Sequence, residues 1–199
     1  MEKYLIKFAI LSLFCAHVVT QMVCSDNPPS GKDIRECCLD YPRVFDTHLN
    51  SSCITRYARN TQRQLQDLEP GETPKGNCVL ECIANQTRIY KGRGIIDTIA
   101  LKRLYMNSVS GDRDWGNIIV KAVDLCVNET RIMFNDMKTN YKEAKTTFVG
   151  EVICHPVSGY IFGCLQTELF RRCTNMTESS ECEALQQYAS ACHLSIKYS

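Results

Sequence analysis

At 199 residues the chain is long enough for one ordinary domain with a real core. Its formal net charge of +1 supplies no basic field for nucleic acid or an anionic membrane surface. Thirteen cysteines must be sorted by compartment, and the first residues do that sorting.

Residues 1–20 read as a secretory signal. Lys3 and Lys7 give a charged start, and Phe8 to Ala16 is an apolar run too short to span a bilayer. Val18 and Thr20 suit a cleavage site near Gln21. Cys15 leaves with the signal, so twelve cysteines remain, which implies six disulfides in an oxidising path. Loss of Glu2, Lys3 and Lys7 brings the formal charge to zero. No second long apolar run exists, so neither a nucleic acid nor a membrane is expected as a partner.

Asn27-Pro28-Pro29-Ser30-Gly31 is loop material. Residues 33–39 are expected to form a short helix carrying Cys37 and Cys38, ended by Tyr41-Pro42. Residues 50–68 read as a helix capped by Asn50, Ser51 or Ser52, and 69–74 (EPGETP) break it. Helices follow at about 75–90, at 97–108 with Asp97 as cap, and from Asp112 or Asp114 to 128 or 133. The apolar arc of the last (Trp115, Ile118, Ile119, Ala122, Val123, Leu125, Cys126) is wide and predicts the central buried helix. Residues 135–149 are polar and lysine-rich, a loop or an exposed helix. His155-Pro156 opens a helix over 157–173, because proline suits a first turn. Ser180 and Glu183 make a capping box for a last helix over 180–197, with Leu185, Tyr188, Ala189, Cys192 and Ile196 as its stripe. That stripe should pack across the body of the domain, on its own chain or exchanged in a dimer. Few runs alternate with period two, so the fold class is all-α and disulfide-stapled.

The organising stretch is Cys78-Val79-Leu80-Glu81-Cys82. Cysteines one turn apart on a helix have Cβ vectors side by side, so Cys78 and Cys82 should bond to two different segments. Adjacent Cys37 and Cys38 point apart and should likewise staple separate neighbours. Metal ligation would need companion spacing such as C-x2-C or H-x3-H, which is missing, and no metal or cofactor is expected. Catalysis has no constellation to stand on: His48, His155 and His193 sit in no H-E-x-x-H, and no G-x-S-x-G appears. Leu39-Asp40-Tyr41 follows the cysteine pair where a secreted phospholipase would need His-Asp. No enzyme is expected. Asn50, Asn85, Asn128 and Asn175 each open an N-glycosylation sequon.

The cysteine spacing carries a resemblance. Cys53 is followed by 24 residues, then Cys78-x3-Cys82, 43 residues to Cys126, 27 to Cys154, nine to Cys164 and eight to Cys173. This resembles the insect odorant-binding proteins, with the extra cysteines of the Plus-C group. One departure is Thr174, where that group has proline after the sixth cysteine. The resemblance implies pairs Cys53–Cys82, Cys78–Cys164 and Cys126–Cys173. Cys24, Cys37, Cys38, Cys154, Cys182 and Cys192 then admit 15 connectivities, expected to tie the N-terminal extension to the C-terminal helix. It implies about six to eight helices around an apolar cavity. The organisation becomes signal 1–20, N-terminal extension 21–52, odorant-binding-like core 53–173 and C-terminal helical extension 174–199.

The implied function is a secreted carrier of small hydrophobic ligands such as odorants or pheromone-like molecules, in sensillar lymph. An olfactory receptor is a candidate second partner, and the chain would be a monomer or a homodimer. Lining residues are chosen as apolar members of the central helices: Leu80, Ile83, Ile99, Leu104, Ile119, Val123, Ile161 and Leu165. Tyr105 and Tyr160 offer hydroxyls to a polar ligand group. The alternative is a secreted protein-binding effector or inhibitor with a filled core.

Overall fold

The computed structural model describes residues 31–45, 47–64, 76–109, 112–140, 145–146 and 148–192. The signal segment, Cys24, the 69–74 break and Ile196 lie outside the described residues. Among the described residues seven helices form: α1 (Ile34–Cys37), α2 (Thr47–Gln64), α3 (Cys78–Gln86), α4 (Thr98–Asn107), α5 (Arg113–Asn140), α6 (Pro156–Arg171) and α7 (Ser180–Ala191). Strand pairing among them is limited to three isolated bridges, Cys38–Met176, Gly76–Cys154 and Tyr90–Ile96. The class is all-α and disulfide-stapled, as the sequence implied.

The starts of α3, α4, α5 and α6 are each fixed by a side chain that takes up free N–H groups of the first turn. Asn77 Oδ1 accepts from the Val79 and Leu80 amides, both at 3.1 Å, and starts α3. Asp97 does the same for α4 with the Ile99 and Ala100 amides at 3.0 Å. Asp112 caps α5 through the Asp114 and Trp115 amides. His155 Nδ1 accepts from the Val157 amide at 3.2 Å, with Pro156 in the first turn of α6.

Two starts differ from expectation. α2 begins at Thr47, so Asn50, Ser51 and Ser52 lie inside it, and the two serine hydroxyls donate back to the His48 and Leu49 carbonyls. The cap of α7 is Ser179 rather than Ser180; its Oγ accepts from the Cys182 amide. Hydrogen bonds to its own backbone amide and to the Ser179 hydroxyl hold the Glu181 carboxyl below its ordinary value, and the expected Ser180–Glu183 capping box is replaced by the Ser179 cap. The long helix α5 runs on to Asn140 and includes the first part of the lysine-rich stretch.

The central helix is α6, not α5. On α6, Val157, Ile161, Phe162, Cys164, Leu165, Leu169 and Phe170 are buried, and so are Ser158, Thr167 and Glu168. It packs against α5, α3 and α7, so three neighbours cover most of its circumference. α5 has α4 and α6 as its main neighbours and leaves Val120, Leu125 and Ile132 exposed. A wide apolar arc shows that a helix is covered but not by how many partners.

Five disulfides are defined between described residues: Cys37–Cys182, Cys38–Cys173, Cys53–Cys82, Cys78–Cys154 and Cys126–Cys164. Cys192 is disulfide-bonded as well. Cys78 and Cys82 do reach two different segments, and Cys37 and Cys38 do staple two different neighbours. Of the pairs the resemblance implied, Cys53–Cys82 stands, whereas Cys78–Cys164 and Cys126–Cys173 are replaced. The cause is local. The Gly76 amide donates to the Cys154 carbonyl at 2.8 Å, which brings Cys154 against Cys78 before α6 begins. The Leu39 amide donates to the Asn175 carbonyl at 3.1 Å, which sets Cys38 against Cys173. Cys164, released from Cys78, then meets Cys126 where α5 and α6 pack. Gly76 is required for this approach, because a Cβ there would fall on the backbone of His155 and Cys154.

α7 packs on α6 and α1 of its own chain, burying Leu185, Tyr188 and Ala189, with Cys192 buried just beyond its end. Arg171 of α6 fastens its far end, with Nε donating to the Ala189 carbonyl and Nη2 to that of Ser190.

Candidate functional site

Burial separates the ten side chains chosen from the sequence into three groups. Leu80 and Ile83 on α3, Ile119 and Val123 on α5, and Ile161 and Leu165 on α6 belong to one buried apolar cluster, which also takes Tyr105 from α4. Leu104 and Tyr160 are half-buried and pack against that cluster. Ile99 does not join it: the side chain is 70% exposed. The inward face of α4 is set by Leu101 and Tyr105, and Ile99 lies two positions, about 200° around the helix, from Leu101.

Ile83, Ile119, Val123, Ile161 and Leu165 have 0% exposure, so in this form they meet neighbouring side chains on all sides. The half-buried margin of the cluster includes Leu104, Tyr160, Tyr57 and Ala100. Large buried side chains that were not chosen include Phe162, Leu101, Leu169, Phe170 and Ile89. Phe162 meets Phe45 edge to face at 5.1 Å and so links α6 to the segment before α2. Its position four residues after Ser158 and three before Leu165, on the face of α6 shared with Ile161, was the signal that could have placed it.

The polar groups at this centre are few. Burial pushes the Tyr105 phenol far up, so it stays protonated and can donate a hydrogen bond at any physiological pH. Burial also raises the Tyr160 phenol, helped by the Glu129 carboxylate nearby. Ser158 Oγ is enclosed on α6 without a hydrogen-bond partner among the described residues. Trp115 Nε1 donates to Asp40 at 3.0 Å, and Thr174 Oγ1 donates to the same carboxylate. Asp40 lies beside Cys38 and Cys173, a group with the donor types of a metal site. Both sulfurs are joined in one disulfide, so they are not thiolates available for ligation.

At the start of α6 the His155 amide donates to Glu81 of α3 at 2.5 Å. Burial raises the Glu81 carboxyl, opposed by that hydrogen bond. Burial lowers the His155 imidazole, helped by the Lys138 ammonium. At the other end of α6, Glu168 is 4% exposed and paired with Arg171 and Arg172. Burial pushes its carboxyl up, but the two guanidinium partners outweigh that and hold it below its ordinary value. No nucleophile with a base is assembled at this centre among the described residues. What it offers is apolar surface with a few hydroxyls among it.

Comparisons with known proteins place the chain in a family. The model of the AgamOBP47-like family matches residues 42–188, a span that includes α2 through most of α7. Odorant-binding protein 47 of Anopheles gambiae is 32% identical over 192 residues, covering 94% of this chain and 82% of that protein. Both findings fit the Plus-C cysteine pattern, and the chain belongs to the AgamOBP47-like family of insect odorant-binding proteins.

Proposed function

We propose that the protein is a secreted carrier of small hydrophobic molecules, odorants or pheromone-like compounds, which it holds among α3, α4, α5 and α6. The observation that carries this is membership of an odorant-binding family by a chain whose helices share one apolar cluster. A ligand enters at the half-buried margin by Leu104 and Tyr160 and separates side chains that otherwise touch. The Tyr105 hydroxyl, or the unpaired Ser158 hydroxyl, takes the ligand's oxygen. Burying about 250 Å² of ligand at ~25 cal/mol/Å² gives roughly 6 kcal/mol before ordering costs. That scale suits low-micromolar binding and release. Residues 1–20 direct export, sensillar lymph is the expected compartment, and a receptor would take delivery from a monomer or a homodimer.

The test is titration of the folded, oxidised protein with a fluorescent apolar probe, followed by displacement with long-chain alcohols and aldehydes. Saturable, displaceable binding supports the carrier. Tyr105→Phe should weaken an oxygen-bearing ligand about fivefold, one hydrogen bond of about 1 kcal/mol, and leave a hydrocarbon unchanged. Absence of saturable binding would sink it.

The full enclosure of Ile83, Ile119, Val123, Ile161 and Leu165 favours a second function class, a protein-binding effector with a filled core. A specific partner captured by a protein that binds no probe would establish that class instead.

A further inference from the structure

The four sequons are equivalent as sequence but not as structure. Asn50 lies in the first turn of α2, and its side-chain Oδ1 is enclosed without a hydrogen-bond partner among the described residues. Asn128 is exposed but sits in the middle of α5, where its Oδ1 accepts from Arg131 at 2.8 Å. Its sequon threonine, Thr130, is buried and bonded to the Cys126 carbonyl. Both sequons are therefore regular helix.

The other two lie where regular structure stops. Asn85 is in the last turn of α3, just past the buried Cys82, Ile83 and Ala84, and is itself exposed. The chain reverses directly after it: the Arg88 amide donates to the Asn85 carbonyl, and Arg88 takes a φ of 58°. Asn175 lies in the connection between α6 and α7, a bent stretch pinned to α1. Its carbonyl accepts from the Leu39 amide, and two residues on Thr177 bonds through its amide to Cys37 and through its hydroxyl to Glu36. Met176 packs inward on the core, whereas Asn175 is exposed.

We propose that Asn85 and Asn175 carry N-linked glycans, and that Asn50 and Asn128 stay bare. The physical reason is twofold. The acceptor amide must be presented where a helix ends or the chain turns rather than within a continuing or packed helix, and the bulky, hydrated sugar must end in solvent. At Asn85 and Asn175 both conditions hold, and a glycan there disturbs no packed side chain. The proposal rests on the reading of the chain as secreted.

The test expresses the full chain with its own leader in insect cells and maps occupancy by glycosidase release in heavy-oxygen water, followed by peptide mass spectrometry. Asn85 and Asn175 are expected to convert to labelled aspartate. Asn85→Gln and Asn175→Gln should each remove one step of the mobility shift, and the double variant should remove all of it. Asn50→Gln and Asn128→Gln should leave it unchanged. A chain recovered from the medium with Asn85 and Asn175 bare, or with sugar on Asn50 or Asn128, overturns the proposal and leaves the carrier function intact. A chain retained in the cytosol with residues 1–20 still attached overturns export, and the proposal with it.

Discussion

The junction of α1 with α7 and the centre around α6 hold together by different means. At the junction α1 is four residues long and contributes Ile34, Cys37 and Cys38 to the core. What secures it is covalent and polar: the bridges Cys37–Cys182 and Cys38–Cys173, three hydrogen bonds to the 175–177 stretch, and Asp40 between Trp115 and Thr174. At the centre, leucine, isoleucine, valine and phenylalanine from α3, α5 and α6 are enclosed by one another. A short segment cannot bury enough apolar area to offset the entropy of ordering it, so crosslinks lower that cost instead. Where long helices meet, burial carries most of the stability, and Cys126–Cys164 between α5 and α6 adds a staple to surfaces that are already packed.

The sharpest way to break this contrast is to hollow the centre. Phe162→Ala, with every disulfide intact, should cost about 3–5 kcal/mol and lower the whole cooperative denaturation midpoint. A cost below that of removing a junction bridge would show that the crosslinks dominate everywhere. Replacing Cys37 and Cys182 together by alanine should cost less, roughly 2–3 kcal/mol. The neighbouring Cys38–Cys173 bridge already closes the long loop and leaves only a short ring for the second to close. Amide exchange should then quicken in α1 and α7 while α3, α5 and α6 keep their protection. Uniform loss of protection would mean that the junction is part of one indivisible core.

A smaller effect is expected from Arg171→Ala, about 1–2 kcal/mol, because it leaves Glu168 with one cationic partner and the end of α7 without its donor. The pH dependence identifies the cause. The folded Glu168 carboxyl is held below its ordinary 4.5, so its stabilising share is full above that pH and is lost as pH falls through the lowered value. Denaturation midpoints from pH 6 to pH 3 should fall less steeply in the variant than in the parent. The smallest effect is at the start of α6. His155 is lowered from 6.5 by burial, so the folded state binds this proton less readily than the unfolded chain. Its contribution is full above that pH and declines as pH drops through it. His155→Asn keeps an acceptor for the Val157 amide but does not titrate. Melting temperatures at pH 8 and pH 5 should differ less in the variant, and an equal decline in both would remove His155 as the cause.

What the sequence determined by itself was local. Asp97 and His155-Pro156 mark helix starts because capping involves neighbouring backbone amides, and these are set by position in the chain. Cys78 and Cys82 diverge, as do Cys37 and Cys38, because the backbone fixes the direction of each Cβ. Six of the ten side chains chosen as apolar members of the central helices lie in the buried cluster together with Tyr105, because a helix between others buries its apolar side chains. The tertiary structure decided which partner each cysteine meets, that α6 rather than α5 is covered on three sides, and that Ile99 faces out. An apolar stripe or a thiol carries a direction but no address. The address depends on which distant segments pack together, as when the Gly76–Cys154 hydrogen bond gives Cys78 to Cys154 and leaves Cys164 for Cys126.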